Sequence, residues 1–479
     1  MARVIHNFGR ADHLDREALI RLCRSIARVC GVEVVAPLQD GDCERAGLPR
    51  GVKLKQTLEY GTVMAVSAFW DRLGIGKTIR SLSQTPKVPY DKAILAMVAN
   101  RLSRPESKLG VWDRWLDTVY LPECNGLKLR QMYEAMDVFV SHAEEIEREI
   151  FFRVANLMSL AVDVIFYDTS TVSFMVDGED DLRRYGHAKE GFWAPQVIVA
   201  LAVTREGFPV KSWVFPGNTS DFTTIETVKK GLRGWNLGRA LFVADAGMNS
   251  AENRKELARA CGTYLLASRM RSVKEIGKEV LSAPGRYREI SENLYAKEVI
   301  VSTGKRYVLC FNPREAKRQQ EHRAEIVQLL EEEISRHKDR DASRKWAVDL
   351  LASRRFGPYL MVTDKGRIRI DRKAVRDAKR YDGKWVVETN DPTLTVEDAA
   401  TGYRSLMVIE RCFRSLKRTQ LKIMPVYHRL PRRIEAHVKV CVLALLLERM
   451  MEHQSGKPWS RTHSILSRIQ ATEYSGPHK

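Results

Sequence analysis

Two short apolar runs, VIFYD at residues 164–168 and LFVAD at 241–245, each close on an aspartate. Both are shorter than a usual helix, and their β-branched and aromatic residues favour buried strands. A carboxylate at the end of such a strand is costly unless it meets a cation or strong donors. Taken singly, each Asp reads equally as a cap or turn former, because DTST and DAGMN are both local turn sequences.

The flanking chain extends this pattern into a sheet. DVIFYDTSTVSFMVD and PQVIVALAVTREGFPVKSWVFPGNTSD, with a tight turn at Arg205-Glu206-Gly207, read as three strands in hairpin order. FTTIETVKKGLRGW has helical spacing, a second helix starts near Ser250, and TYLLAS is a further strand. Hairpin strands followed by helix, strand, helix, strand predict an α/β fold, a mixed sheet with flanking helices.

Residues 285–395 break that rhythm. LYAKEVIVSTGKRYVLCFNP reads as a hairpin, a highly charged helix follows, and GRIRIDRKAVRDAKRYDGKWVVETN returns to strand with a turn at Asp382-Gly383. This stretch is expected to be a mostly β insertion carrying a helical arm. Helix resumes around Val396 and is predicted to run through Glu410, and RRIEAHVKVCVLALLLERMMEH forms a last apolar helix. Residues 1–150 read mostly as helix. In residues 13–30, Leu19, Ile20, Leu22, Cys23, Ile26 and Val29 follow Asp15, a plausible cap. Short helices of this kind suit a unit that binds DNA ends and suit an ordinary packing domain equally. The expected organisation is a helical region over 1–150, a core split between 151–284 and 396–450, an insertion over 285–395, and a tail over 451–479.

A chain of 479 residues exceeds one ordinary core. Its net charge of +19 favours a polyanionic partner, by default nucleic acid. The last 79 residues hold 15 basic against 5 acidic groups, so over half of the excess lies there. The eight cysteines form no C-x₂₋₄-C pair, which leaves a zinc knuckle unsupported and fits reduced, apolar packing residues. The longest apolar run, Val440 to Leu447, is too short to span a membrane, and no signal-like segment follows the first Met. The expectation is a soluble cytoplasmic protein.

Within that basic segment, YRSLMVIERCFRSLK contains one acid, Glu410, alone between Asp398 and Glu435 among nine Lys and Arg residues. Tyr403, Glu410 and Lys417 are spaced seven and seven, which on a straight helix drifts only about 20° per step. Leu406, Ile409, Phe413 and Leu416 make a neighbouring apolar stripe able to bury against a sheet. The same spacing also arises by chance on any amphipathic helix. Parallel neighbouring strands would set Asp168 beside Asp245, and a packed helix would bring Glu410 to the same edge. Three hard oxygen ligands with open positions suit Mg²⁺ or Mn²⁺. Two such ions about 4 Å apart serve phosphodiester chemistry.

These motifs, in this order, resemble the DDE (Asp-Asp-Glu) transposases of bacterial insertion sequences, of the insertion-sequence-four type. VIFYDTSTVSF is similar to the first-Asp motif and LFVADAGMNS to the second. The third motif of that group is Tyr, two residues, Arg, three residues, Glu, six residues, Lys. Here it reads Tyr403, Leu406, Glu410, Lys417, with Leu in place of the Arg and Arg404 two positions early. PVYHRLPRRIEAHVKVCVLALLLE resembles the tail beyond it. The resemblance implies a ribonuclease-H-like core interrupted by a β-rich insertion. It implies cut-and-paste transposition, with Asp168, Asp245 and Glu410 holding two Mg²⁺ or Mn²⁺ ions. It further implies DNA contacts from Tyr403, Arg404, Arg414, Lys417 and Lys189, double-stranded DNA ends and target DNA as partners, and a homodimer in the synaptic complex. His187 and Gln196 beside the first strands are as readily structural as DNA-contacting, and His428 and His437 read as buried hydrogen-bonding residues. A ribonuclease-H-like nuclease or resolvase without strand transfer shares these features, and so does a domesticated DNA-binding copy.

Overall fold

The computed structural model describes residues 53–475 except positions 84, 86, 176, 188–190 and 338, and gives no side-chain placement for 53 and 222. The helix expected over 13–30 lies outside the described residues. The chain divides into two units. In the smaller, strand β1 (Lys53–Glu59) pairs with strand Gln470–Ser475, and Lys55 bonds Glu473 at 2.6 Å.

The larger unit, residues 59–469, begins with helices. These are α1 (Gly61–Arg72), α2 (Ile75–Leu82), α3 (Tyr90–Leu102), α4 (Lys108–Asp113), α5 (Leu129–Ser141) and α6 (Ala143–Leu157). In α3, YDKAILAMVANRL buries every residue but Lys92, Asp91, Asn100 and Arg101 included, so the helix is enclosed on all sides and forms the centre of its bundle.

The sheet follows: β2 (Val164–Ser173), β3 (Arg184–His187), β4 (Trp193–Val203), β5 (Pro209–Pro216), α7 (Ile225–Gly234), β6 (Leu241–Ala244), α8 (Ala251–Ala258) and β7 (Tyr264–Ser268). Gly207 closes the β4–β5 turn with φ +89°, a left-handed backbone that glycine adopts without a Cβ clash. β2, β4 and β5 pair antiparallel, whereas β2–β6 and β6–β7 are parallel, so the sheet is mixed, as the order of elements implies.

Next come β8 (Arg288–Ser291), β9 (Leu294–Ile300), β10 (Arg306–Phe311), α9 (Pro313–Arg336), α10 (Lys345–Ala352), β11 (Leu360–Val362), β12 (Ile368–Ile370), α11 (Arg372–Ala378) and β13 (Lys384–Thr389). β9 and β10 form the expected hairpin. β13 pairs with β7 and β10, so these strands continue one ten-stranded sheet ordered β3-β4-β2-β6-β7-β13-β10-β9-β8, with β5 on β4. α9 carries a separate small core with Ile326, Leu330 and Ile334 against Ala347, Leu360 and Ile368. The stretch read as strand from 366 to 390 in fact places α11 between two strands, because Asp371 caps it by accepting from the Lys373 and Ala374 amides.

The helix expected to run through Glu410 is two helices, α12 (Val396–Arg404) and α13 (Met407–Lys417). At the junction, amides bond three residues back: Leu406 to the Tyr403 carbonyl, Val408 to Ser405 and Ile409 to Leu406. Tyr403 therefore does not share one straight stripe with Glu410 and Lys417. The tightened turn lets Leu406, 8% exposed, join the core. Ile409, Phe413 and Leu416 bury as the periodicity predicts, with Cys412 beside them, each large side chain contributing about 1.5–3 kcal/mol. α14 (Pro431–Ser455) is buried from Ile434 to Met451 except at Glu435 and Arg449 and packs on α3 and α5, and α15 (Trp459–Leu466) follows it. Among the described residues no helix is long and apolar enough to cross a membrane.

Candidate active site

Strand register brings the two aspartates together. The parallel pair runs Val164–Leu241, Ile165–Phe242, Phe166–Val243 and Tyr167–Ala244, so the next matched positions are Asp168 and Asp245. Neighbouring strands lie about 4.8 Å apart. Alternation sets the face: Phe166 and Val243 pack in the core below α12 and α13, whereas Tyr167 and Ala244 pack on the opposite side. Asp168 and Asp245 therefore share the face covered by α12 and α13. Asp168 is half-buried and accepts the Thr169 amide at 2.8 Å, and Asp245 is exposed at the sheet edge.

Helix packing supplies the rest. The Tyr403 hydroxyl donates to Asp245 Oδ1 at 3.1 Å. Burial, then the charges of Asp245, Glu410 and Asp168, push the phenol above its usual range, so all three carboxylates act on one hydroxyl. Glu410 is exposed in the first turn of α13, where the helix dipole favours a carboxylate. α13 is seated by the β4–β5 turn. Cys412 Sγ lies 3.5 Å from the Gly207 carbonyl, and a Cβ on Gly207 would approach Val408 to 3.1 Å.

Among the described residues, no three His, Cys, Asp or Glu side chains form a ready-made metal cage. The donor set at the edge is nonetheless all oxygen, which fits Mg²⁺ or Mn²⁺ and not the soft metals. Asp168 and Asp245 follow the last matched pair of the parallel register, and Glu410 lies near enough to Tyr403 for its charge to act on that hydroxyl.

The cationic residues divide. Arg404 and Arg414 are exposed, while Lys417 is half-buried and engaged with a neighbour. Lys189 lies outside the described residues. Gln196 is buried and donates to the Gly217 carbonyl at 2.9 Å, a structural bond. His437 is buried against the Ile423 carbonyl at 2.9 Å. His428 packs on Tyr133 and His437 with its basicity lowered to about 4, by burial first and the Lys108 charge next. Leu406, at the position of the motif Arg, supplies packing.

A cleft of about 460 Å³ opens beside Asp245, lined by Arg254, Arg269, Lys305, Asn249, Tyr307 and Glu388 among others. Arg254 meets Glu388 at 3.2 Å and Lys305 meets Glu275 at 2.8 Å. Burial pushes the Glu388 carboxyl up, against the pull of Arg254. Sequence reasoning missed this cleft because its residues come from α8, β7, β10 and β13, which only the sheet order brings together.

The family model for the transposase DDE domain matches residues 163–447, more than half of the chain. Among curated proteins no match was found. Six chains of known structure match. One is the cryo-EM structure of the piggyBac transposase synaptic complex with hairpin DNA, at 10% identity and a TM-score of 0.40, covering 85% of this chain and 79% of that one. The chain belongs to the transposase DDE domain family.

Proposed function

We propose that this chain is a cut-and-paste DNA transposase of the bacterial insertion-sequence-four type, a divergent branch with Leu406 in place of the motif Arg. It acts on the terminal inverted repeats of its own element and joins the released 3′ ends to target DNA. The observation that carries the reading is the parallel register of β2 and β6, which sets Asp168 and Asp245 side by side under the helices bearing Tyr403 and Glu410.

In this reading Asp168, Asp245 and Glu410 are the catalytic carboxylates and hold two Mg²⁺ or Mn²⁺ ions. Bound metal supplies activation of a water or 3′-hydroxyl and neutralises charge on the scissile phosphate. Tyr403 orients Asp245 by donating to one oxygen, leaving the other free to ligate. Arg404, Arg414, Lys417 and Lys189 meet DNA phosphates, where lysine acts as a point charge and arginine as a fork. The cationic cleft beyond Asp245 supports a path for DNA across this edge. The core is ribonuclease-H-like: an antiparallel β4–β2 pair leads into parallel β6 and β7, and the later strands enter as an insertion before Glu410. Residues 1–150 bind the element ends, and two copies pair in the synaptic complex.

The test is incubation of purified protein with duplex carrying its ends and a target plasmid, with Mg²⁺ or Mn²⁺. The reading expects cleaved ends and end-target joints. Cleavage without joints would make the protein a nuclease or resolvase, and binding without cleavage a domesticated DNA-binding protein.

A further inference from the structure

The segment PGNTSD ends on Asp221, a carboxylate outside the proposed ligand set. Asp221 opens a short turn, Asp221–Thr224, after β5, whose cap position is Ser220. Its Oδ1 accepts a 2.5 Å hydrogen bond from Thr169 Oγ1. Thr169 follows Asp168 on β2, is 1% exposed, and by alternation points to the opposite face with Tyr167. The Tyr167 hydroxyl donates to Thr224 Oγ1 at 2.7 Å, and Thr224 donates to the Asp221 carbonyl at 2.6 Å. The second carboxylate oxygen faces Gly247, where an added Cβ would lie 3.7 Å from Asp221 Oδ2. Gly247 belongs to the turn Ala246–Met248 that leads the chain away from Asp245, and the two turns pack together. One side chain, behind the sheet, thus reaches the segments that directly follow both Asp168 and Asp245.

We propose that Asp221 is a positioning residue that fixes the spacing of Asp168 and Asp245 through Thr169 and the Gly247 turn. The proposal rests on the reading that those two aspartates carry the cleavage chemistry. The negative charge itself is not required; an acceptor oxygen for Thr169 at this place is.

The test uses D221A and T169V, each of which removes the bond, and D221N, which keeps an acceptor. Partners that orient metal ligands change affinity or activity about 10–100-fold when removed. D221A and T169V should therefore slow cleavage by about tenfold or more and weaken Mn²⁺ binding to the DNA-free protein, measured by calorimetry, by a similar factor. DNA-end binding should be unchanged, and D221N should recover most of the loss. The D221A/T169V double variant should be no worse than either single, as for two partners of one bond. Unchanged Mn²⁺ binding in both singles, additive losses, or D221N as impaired as D221A would overturn the proposal. Should D221A fail to fold, T169V, which conserves side-chain shape, decides alone. Cleavage by D168N or D245N would sink the underlying reading instead, independently of the Asp221 result.

Discussion

Replacing Tyr403 with Phe removes one hydroxyl from the centre of the proposed site and leaves the ring packed against the core. That hydroxyl donates to Asp245 Oδ1 at 3.1 Å, and three carboxylates together with burial keep it protonated above the usual phenol range. A hydrogen bond to a charged acceptor contributes about 1.5–3 kcal/mol, and half-exposure places this one near the lower end. About 1.5 kcal/mol corresponds to roughly a tenfold rate change at 1.36 kcal/mol per decade. The assay is single-turnover cleavage of an end-bearing duplex at saturating protein, from pH 6 to 9, beside equilibrium end binding. Y403F should cleave about tenfold more slowly at every pH with unchanged binding. An unchanged rate would refute the orienting role. A loss confined to the alkaline end would refute it differently, by showing that the phenolate is the working form.

Further outcomes follow from charges buried in the helical region and the arm. Lys108 is 3% exposed, its Nζ has no hydrogen-bond partner among the described residues, and burial with the Arg101 charge lowers its basicity to about 7. The folded state therefore gives up a proton that the unfolded chain keeps, and stability rises with pH from about 7 toward 10.5. K108M should stabilise the protein by about 2–4 kcal/mol at pH 7 in urea unfolding and flatten that rise; a destabilised K108M would contradict it. Arg323 and Asp382 form a buried two-bond pair at 2.7 and 2.5 Å. D382A, which strands the guanidinium, should cost about 3–5 kcal/mol, and R323M/D382L far less; equal costs would refute the desolvation argument. End affinity should fall steeply and linearly on a log–log plot against salt, and a flat response would separate the C-terminal basic excess from phosphate binding.

How much of this was legible depended on whether a feature is set locally. β2 and β6 are readable because their residues favour strands, and β6 stops at a turn-forming Asp; β2 instead runs on through Asp168 to Ser173, where DTST reads as a turn but pairs with β4. α13 is readable because its apolar residues recur at helical spacing. The break at Ser405–Leu406 is not, since both residues tolerate helix and only Leu406's place in the core demands the turn. Likewise, the hairpin of β9 and β10 is written in its own residues, but its place in the main sheet is not. That depends on β13 pairing with β7, residues more than a hundred positions apart. The Asp168–Asp245 match followed from the parallel order, whereas Asp221 and the Arg254–Glu388 cleft needed the assembled sheet. Nothing in GNTSD by itself distinguishes a turn-forming Asp from one that reaches across to Thr169.

In the proposed function Asp168, Asp245 and Glu410 act as a unit on DNA. The most direct measurement is cleavage of the element ends by D168N, D245N and E410Q with Mg²⁺ and with Mn²⁺, each beside an end-binding assay. All three should lose cleavage with either metal while binding ends nearly as well as the unaltered protein. Cleavage retained by any one of them, or cutting that persists after metal chelation, would contradict it.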